Sequence, residues 1–150
     1  MWYPASITSL DKITNKTWKF VIEPNEKFDF IPGQFIQLKI GETKRSYSIA
    51  SYDPNNNLFE LLIVKLDGGA MTKILFEDIS PGQKIEIKGP IGRFTLPQNI
   101  DRDIFLICTG TGLAPFRSFL HYIDKQNISC LLYTSPSPRD QEASRMPSSA

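Results

Sequence analysis

The sequence predicts a mainly β fold: a six-stranded antiparallel Greek-key barrel with one capping helix, followed by a single βα unit of the parallel α/β type. Two observations lead to this prediction. Six short strand-like runs recur at roughly 10-residue spacing over the first hundred positions, and turn pairs such as Pro32-Gly33 separate them. From Ile104 the pattern changes to a continuous apolar run, a Gly-rich turn and a helical periodicity.

The six predicted strands differ in how their apolar residues are spaced. They are Ala5–Leu10, Thr17–Ile22, Gln34–Ile40, Arg45–Ser51, Leu58–Lys65 and Lys84–Lys88. The last of them alternates apolar and polar residues, which is typical of a strand with one buried face, whereas the fifth is more continuously apolar. One helix, Ala70–Phe76, begins after Gly68-Gly69 and carries apolar residues at positions 71, 74 and 75.

The predicted βα unit begins with Ile104–Cys108, which we expect to be a buried parallel strand with Cys108 as a small core residue. The helix that follows carries an apolar face made of Leu113, Phe116, Phe119, Leu120 and Ile123. Pro115 suits its first turn, where a missing N–H costs nothing. His121 has no acidic or cysteine residue directly beside it in the sequence, so we expect it to be a surface or packing residue rather than a ligand.

Composition and charge exclude several classes of protein. The chain has 17 Lys and Arg against 16 Asp and Glu, a net charge of +1, so nothing predicts a nucleic-acid partner or an anionic membrane surface. No apolar run approaches the roughly 20 residues that span a bilayer, and Met1–Pro4 lacks the features of a signal peptide. Cys108 and Cys130 form no disulfide or metal motif. We therefore expect a cytoplasmic protein without a bound metal, with Met1 as its true start.

Residues 130–150 do not continue the pattern of the preceding chain. Ser and Pro are frequent there, and after Tyr133 neither strand nor helix periodicity remains. A disordered tail is one interpretation of such a composition. A sharper one is that Cys130–Asp140 and Ser144–Ala150 match the translation of a transposase-type sequencing adapter, with Gln141–Ala143 where its variable index would be read. We therefore expect residues 130–150 to be a non-native tail that takes no part in the fold.

Three short motifs, in a fixed order, carry the candidate chemistry. The segment 45–48 reads Arg-Ser-Tyr-Ser on a strand, where alternation places Arg45 and Tyr47 on one face and the serines on the other. Gly68–Thr72 opens the first helix, whose free N–H groups suit a phosphate. Gly110–Pro115 opens the second helix, at the place where a parallel sheet receives a dinucleotide. Each motif alone also fits a structural role, as an edge strand, a plain turn or an incomplete Gly-rich loop.

Together the motifs resemble those of the ferredoxin–NADP reductase superfamily, and the resemblance covers residues 5–124. The segments that match family motifs are Gly33–Phe35, Arg45–Ser48, Gly68–Leu75, Gly89–Phe94 and Thr109–Pro115. The resemblance implies an FAD-binding FR-type barrel domain over residues 1–100. It also implies the incomplete start of an NAD(P)-binding domain over residues 101–129.

The resemblance further implies a role for each matching residue. Arg45 would pair with the FAD pyrophosphate, Tyr47 would lie against the isoalloxazine ring, and Ser48 would hydrogen-bond near flavin N5 as a catalytic residue. The other cofactor-binding residues would be Ser46, the flavin-lining Ile63, Val64 and Lys65, the pyrophosphate-binding Gly69, Ala70, Met71 and Thr72, and the nicotinamide-binding Gly110, Thr111, Gly112 and Pro115. Thr111, close to the nicotinamide, would be the second catalytic residue.

The function that the resemblance implies is that of an FAD-dependent oxidoreductase. It would take hydride from NAD(P)H and pass electrons to a ferredoxin, a cytochrome or an oxygenase component. Two alternatives remain open: an NAD(P)H:flavin reductase that uses flavin as a substrate, and a flavin-binding electron-transfer subunit of a larger complex. A barrel that binds no cofactor would leave the co-occurrence of Arg45, Tyr47 and Gly69 unexplained. Because most of the nicotinamide-binding sheet is absent, we expect this chain alone to be nearly inactive with NAD(P)H.

Overall fold

The computed structural model describes residues 1–99 and 103–128, and the predictions made for residues 130–150 lie outside this part of the chain. The strands are β1 Tyr3–Lys12, β2 Thr17–Pro24, β3 Phe35–Ile40, β4 Thr43–Ser48, β5 Phe59–Val64 and β6 Gln83–Ile91. The helices are α1 Ala70–Lys73, which a wider π-helical turn, Ile74–Asp78, prolongs, and α2 Leu113–Lys125. All six predicted strands and both predicted helices therefore form, with ends shifted by a few residues.

The six strands make one antiparallel sheet in the order β4-β3-β6-β1-β2-β5. The two end strands of this order, β4 and β5, approach each other through a bridge between Ile49 and Leu61, so the sheet curls into a nearly closed barrel. After α1 the chain returns as β6 to lie between β1 and β3, the non-sequential crossing of a Greek key. The predicted six-stranded antiparallel Greek-key barrel is confirmed.

Alternation along the strands fills the barrel with apolar side chains. On β3, Ile36 and Leu38 are fully buried, while Gln37 between them faces outward. The largest fully buried side chains are Ile7, Phe20, Ile22, Ile36, Leu38, Ile49, Phe59, Leu61, Ile63, Met71, Leu75 and Ile87. Each such burial stabilises the fold by about 1.5–3 kcal/mol. The barrel is thus a rigid frame that fixes the ends of β4 and β5.

The predicted parallel strand Ile104–Cys108 is wrong. The segment has no strand structure, and the side chains of Phe105 and Ile107 are 83% and 87% exposed. Cys108 is exposed too, which corrects its predicted place in the core. A parallel strand exists only when neighbouring strands supply its hydrogen bonds and cover both of its faces. Within the described part of the chain, no strand of the barrel pairs with this segment.

The helix after this segment forms as predicted. Phe116 and Phe119 are buried against each other and against Phe94, with ring centroids 5.5–6.1 Å apart. Leu113, at the start of α2, is 47% exposed and does not belong to this buried face. Among residues 1–99 and 103–128, no helix has the length and apolar character needed to cross a membrane.

Candidate functional site

The predicted site segments meet where the barrel closes, at the seam between β4 and β5. The two strands form this β4–β5 seam where they approach each other. Helix α1 lies beside β4, and the turn Gly110–Gly112 lies beside β5. Across the seam, the Ala50 amide donates to the Glu60 carbonyl at 2.8 Å, while on the β3 side the Ile49 amide donates to the Gln34 carbonyl at 3.0 Å. Segments far apart in sequence are therefore neighbours here.

Arg45 and Tyr47 lie on the same side of β4, as predicted. They stand opposite Leu38 and Ile36 in the β3 register, and both of those residues point into the barrel. The Arg45 guanidinium is exposed and donates to the Lys44 carbonyl at 2.7 Å. The Tyr47 ring is half-buried against the core, and this burial raises the pKa of its phenol to about 12 although the Arg45 charge opposes the shift. The phenol therefore stays neutral at physiological pH, beside a solvent-accessible cation.

The serines and the β5 residues lie on either side of the seam. Ser46 is exposed on the outer side of β4, and Ser48 is half-buried at the end of the strand. On β5, the Ile63 side chain is buried in the core, so only its backbone can face a ligand in the seam. Val64 is half-buried, and Lys65 pairs with Glu77 at 3.1 Å. Ser46 and Ser48 thus provide hydroxyl groups on β4, and Ile63 provides only its backbone on β5.

The start of α1 is built around a close backbone approach at Gly69. A Cβ at this position would lie 2.5 Å from the Thr72 hydroxyl and 3.2 Å from the Leu66 carbonyl oxygen. The Thr72 hydroxyl is buried and lies within hydrogen-bonding distance of the Leu66 and Gly69 carbonyls, at 2.9 and 3.0 Å. Ala70 is exposed, while the Met71 side chain packs in the core. The Gly69 amide donates to the Leu66 carbonyl at 3.1 Å, so the glycine gives the turn a close approach without a side chain in the way, and the backbone N–H groups of the residues after it begin the helix.

The third motif lies at the start of α2. Gly110–Gly112 forms a short 3-10 turn, in which Gly110 and Gly112 are exposed and Thr111 is half-buried. Pro115 is in the first turn of α2, and its carbonyl accepts a hydrogen bond from the Ser118 hydroxyl at 2.8 Å. The turn therefore leads directly into a helix whose next residues contact the barrel.

Those next residues were missed by the sequence-based reasoning. The Arg117 guanidinium donates to the Ala50 carbonyl at 2.8 Å and forms an ion pair with Glu60. The neighbouring Ser118 hydroxyl accepts a hydrogen bond from the Gly33 amide at 3.0 Å. One signal was available: Arg117 lies beside the apolar face of the helix, and Glu60 stands between apolar residues of a buried strand. Opposite charges in two such settings are candidates for a buried pair.

The ion pair belongs to a longer row of charges. Lys19 lies between Asp11 at 3.1 Å and Glu60 at 3.5 Å, and its hydrogen bond to Asp11, together with the Glu60 charge, raises the pKa of the lysine. Charges therefore alternate in sign from Asp11 to Arg117, across β1, β2, β5 and α2. In the described part of the chain, no group of three or more His, Cys, Asp or Glu residues could hold a metal ion.

An exposed arginine, a half-buried tyrosine and a glycine-capped helix at one seam are groups that suit the phosphates and the ring of a nucleotide cofactor. The chain belongs to the family of oxidoreductase FAD-binding domains, which matches residues 4–96. It is 34% identical over 119 residues to the ferredoxin–NAD(+) reductase component of the alkene monooxygenase system of Xanthobacter autotrophicus. It is 35% identical over 123 residues to the 2-halobenzoate 1,2-dioxygenase electron transfer component of Burkholderia cepacia.

The chain spans about a third of the length of these curated relatives: each alignment covers 79% of this chain and 36% of the relative. Among solved structures, the Amycolatopsis cytochrome P450 reductase GcoB is 27% identical, with a TM-score of 0.76 over 85% of this chain and 40% of that one. A ferredoxin NADP+ reductase from Neisseria gonorrhoeae, solved with bound FAD and NADP, matches with a TM-score of 0.65 at 24% identity over 84% of this chain and 53% of its own, and so supports the fold.

Proposed function

We propose that the chain is the FAD-binding part of an NAD(P)H-dependent flavoprotein reductase, which passes electrons to a ferredoxin, a cytochrome or an oxygenase component. The observation that carries this proposal is the convergence of the Arg-x-Tyr-Ser strand, the glycine-capped α1 and the turn Gly110–Gly112 at the β4–β5 seam. The names of the relatives support the direction of electron flow, because they are reductase or electron-transfer components of oxygenase systems.

The residues of the seam fit FAD by charge and by shape. The exposed Arg45 guanidinium would bind the pyrophosphate, together with backbone N–H groups of Ala70 and Met71. The Gly69 amide already donates to the Leu66 carbonyl at 3.1 Å, so Gly69 would contribute its lack of a side chain. The half-buried Tyr47 ring would pack against the isoalloxazine, and Ser48 would hydrogen-bond near flavin N5. The bound flavin would supply the redox chemistry, while the protein would position it.

Thr72 and the β5 strand would support this site indirectly. The Thr72 hydroxyl hydrogen is engaged by backbone carbonyls, so Thr72 would fix the turn that presents Gly69 rather than donate to phosphate. Ile63, Val64 and Lys65 would offer the flavin their backbone, and Ser46 would lie at the edge of the site. These residues would determine how rigid the site is.

The turn Gly110–Gly112 would receive the nicotinamide, with Thr111 beside the reacting carbon and Pro115 fixing the start of α2. The nicotinamide-binding domain would begin at about residue 101, after the FAD-binding domain over residues 1–100. Cytoplasmic NAD(P)H would be the hydride donor.

FAD binding by the purified chain tests the proposal. We expect the protein to retain FAD through gel filtration, and Arg45→Ala to weaken the affinity about 10- to 100-fold, since a hydrogen bond to a charged group contributes about 1.5–3 kcal/mol. Lys44→Ala is the matched control: the residue is exposed on the opposite side of β4, so its removal should leave the affinity within about twofold. Failure to bind FAD, or equal losses in the two variants, would contradict the proposal.

A further inference from the structure

We propose that Arg117 is a positioning residue, which sets where the turn Gly110–Gly112 lies relative to the end of β4. The inference rests on the proposed function, in which β4 holds the flavin and this turn receives the nicotinamide. Arg117 itself touches neither segment. It is one helical turn beyond the start of α2, so it can act only through the placement of the helix.

The guanidinium of Arg117 holds a backbone atom close to the flavin strand. It donates to the carbonyl of Ala50, which is two residues beyond Ser48 and fully buried. Ala50 in turn donates its amide to the Glu60 carbonyl, and the Glu60 carboxylate accepts from Arg117. A single side chain of α2 therefore binds both sides of the β4–β5 seam.

Ser118, the next residue of α2, completes a closed circuit of hydrogen bonds. It accepts from the Gly33 amide, and the residue after Gly33 accepts the amide of Ile49 at 3.0 Å. Hydrogen bonds join Arg117 to Ala50, Ile49 to Gln34 and Gly33 to Ser118. Within each remaining pair, Ala50 with Ile49, Gln34 with Gly33 and Ser118 with Arg117, the residues are adjacent in the chain, which closes the circuit. Two consecutive residues of α2 thus form hydrogen bonds with two neighbouring segments of the barrel, which fixes both the position and the rotation of the helix.

The charges around the pair favour a fixed helix. Glu60 has two cationic partners, Arg117 and Lys19, and Asp11 holds Lys19 in turn. Because the Arg117 and Glu60 side chains are about a third exposed or less, solvent screens their attraction only in part. By contrast, the Lys125–Asp53 pair two turns along α2 is longer, at 3.6 Å, and more exposed, so it should contribute little.

Pulsed electron spin resonance on the full chain tests the inference. Nitroxide labels at Lys44→Cys on β4 and Leu113→Cys at the start of α2, in a Cys108→Ser, Cys130→Ser background, report the distance across the seam; both positions are exposed. We expect one narrow distance distribution in this background. Arg117→Met should add a second, broader component to the distance distribution. We expect the population of molecules whose α2 has left the barrel to rise on the order of tenfold. Arg117→Lys should restore most of the narrow component, and Lys125→Met should leave it unchanged.

The alternative outcomes separate the possible failures. A narrow distribution in a folded Arg117→Met protein overturns the inference. If that variant does not fold, Glu60→Gln, which weakens the pair without removing side-chain volume, decides: a broad component supports the inference and a narrow one overturns it. The distances are measured with and without FAD. A chain that binds no FAD contradicts the proposed function, yet its distance distribution still decides the role of Arg117.

Discussion

The amide of Gly33 donates to the hydroxyl of Ser118 at 3.0 Å, between residues 85 positions apart in the chain. The same hydroxyl donates to the Pro115 carbonyl. Gly33 and Ser118 are both buried. Gly33 has φ +96°, and a Cβ there would collide with the Phe94 carbonyl oxygen and lie 2.6 Å from the Phe119 ring. Helix α2 thus packs against Gly33, where the lack of a side chain leaves room for the helix.

Ser118→Ala should therefore destabilise the protein. The substitution leaves the buried Gly33 amide without an acceptor, and such an unsatisfied donor costs about 1–3 kcal/mol. We expect the free energy of unfolding, measured in urea, to fall by that amount. The exposed Ser80→Ala is the control and should change it by less than about 0.5 kcal/mol. An unchanged urea midpoint for Ser118→Ala would show that the hydrogen bond contributes nothing.

Gly69→Ala should weaken FAD binding more than it affects the barrel. The new Cβ lies 2.5 Å from the Thr72 hydroxyl, so this hydroxyl must leave the Leu66 and Gly69 carbonyls and the turn must shift. We expect at least a tenfold loss of FAD affinity, on the order of one lost hydrogen bond or more. Lys73→Ala, exposed on the same helix, is the comparison. Equal affinities for the two variants would place the pyrophosphate elsewhere.

The Tyr47 ring, rather than its hydroxyl, should contribute to flavin binding. Since burial holds the phenol pKa near 12, the hydroxyl carries no charge below about pH 11. Tyr47→Phe should therefore retain FAD affinity within about threefold, because an aromatic stacking contact is worth about 0.5–1.5 kcal/mol beyond burial and the phenyl ring keeps it. Tyr47→Ala should lose the contact, weaken binding and restore part of the flavin fluorescence that stacking quenches. If the flavin fluorescence stays quenched in Tyr47→Ala, the tyrosine ring does not lie against the flavin.

The strands of the barrel and the faces of their side chains could be predicted from sequence because their signals are local. Alternation on each strand defines which side chains enter the core, and it placed Arg45 and Tyr47 on one side of β4. The grouping of the three motifs into one cofactor site came from their order and from the family resemblance. No local pattern indicates that β4 and β5 close on each other at Ile49 and Leu61.

Two other features could not be predicted in this way, for opposite reasons. Ile104–Cys108 has the composition of a buried strand, but burial depends on partner strands that no property of the segment supplies. The local pattern marks Arg117 only as a charge beside an apolar helix face, and its role appears only when Ala50 and Glu60, more than fifty residues earlier, lie beside it. Pairings of high sequence separation are set by tertiary packing, which periodicity does not encode.

The contact between Tyr52 and His121 should make the docking of α2 dependent on pH. The Tyr52 amide donates to His121 Nδ1 at 3.3 Å, which requires that nitrogen to be unprotonated. Burial, together with the Arg117 charge, lowers the pKa of His121 below 6.5, with Lys125 acting in the same direction and Glu60 and Asp124 opposing them. The unfolded chain therefore takes up the proton first as the pH falls. The stability that His121 contributes is complete above pH 6.5 and is lost progressively below it.

His121→Asn isolates this contribution, since an asparagine oxygen can accept the Tyr52 amide but does not titrate. We expect amide hydrogen exchange in α2, corrected for the intrinsic pH dependence of exchange, to become faster between pH 7 and pH 5 in the native chain and to change less in the variant. Amides of β1 and β6, which pair with each other and take part in none of the hydrogen bonds of α2 described above, should respond alike in both proteins. If the two proteins lose α2 protection in parallel as the pH falls, the histidine is not the group that links α2 docking to pH.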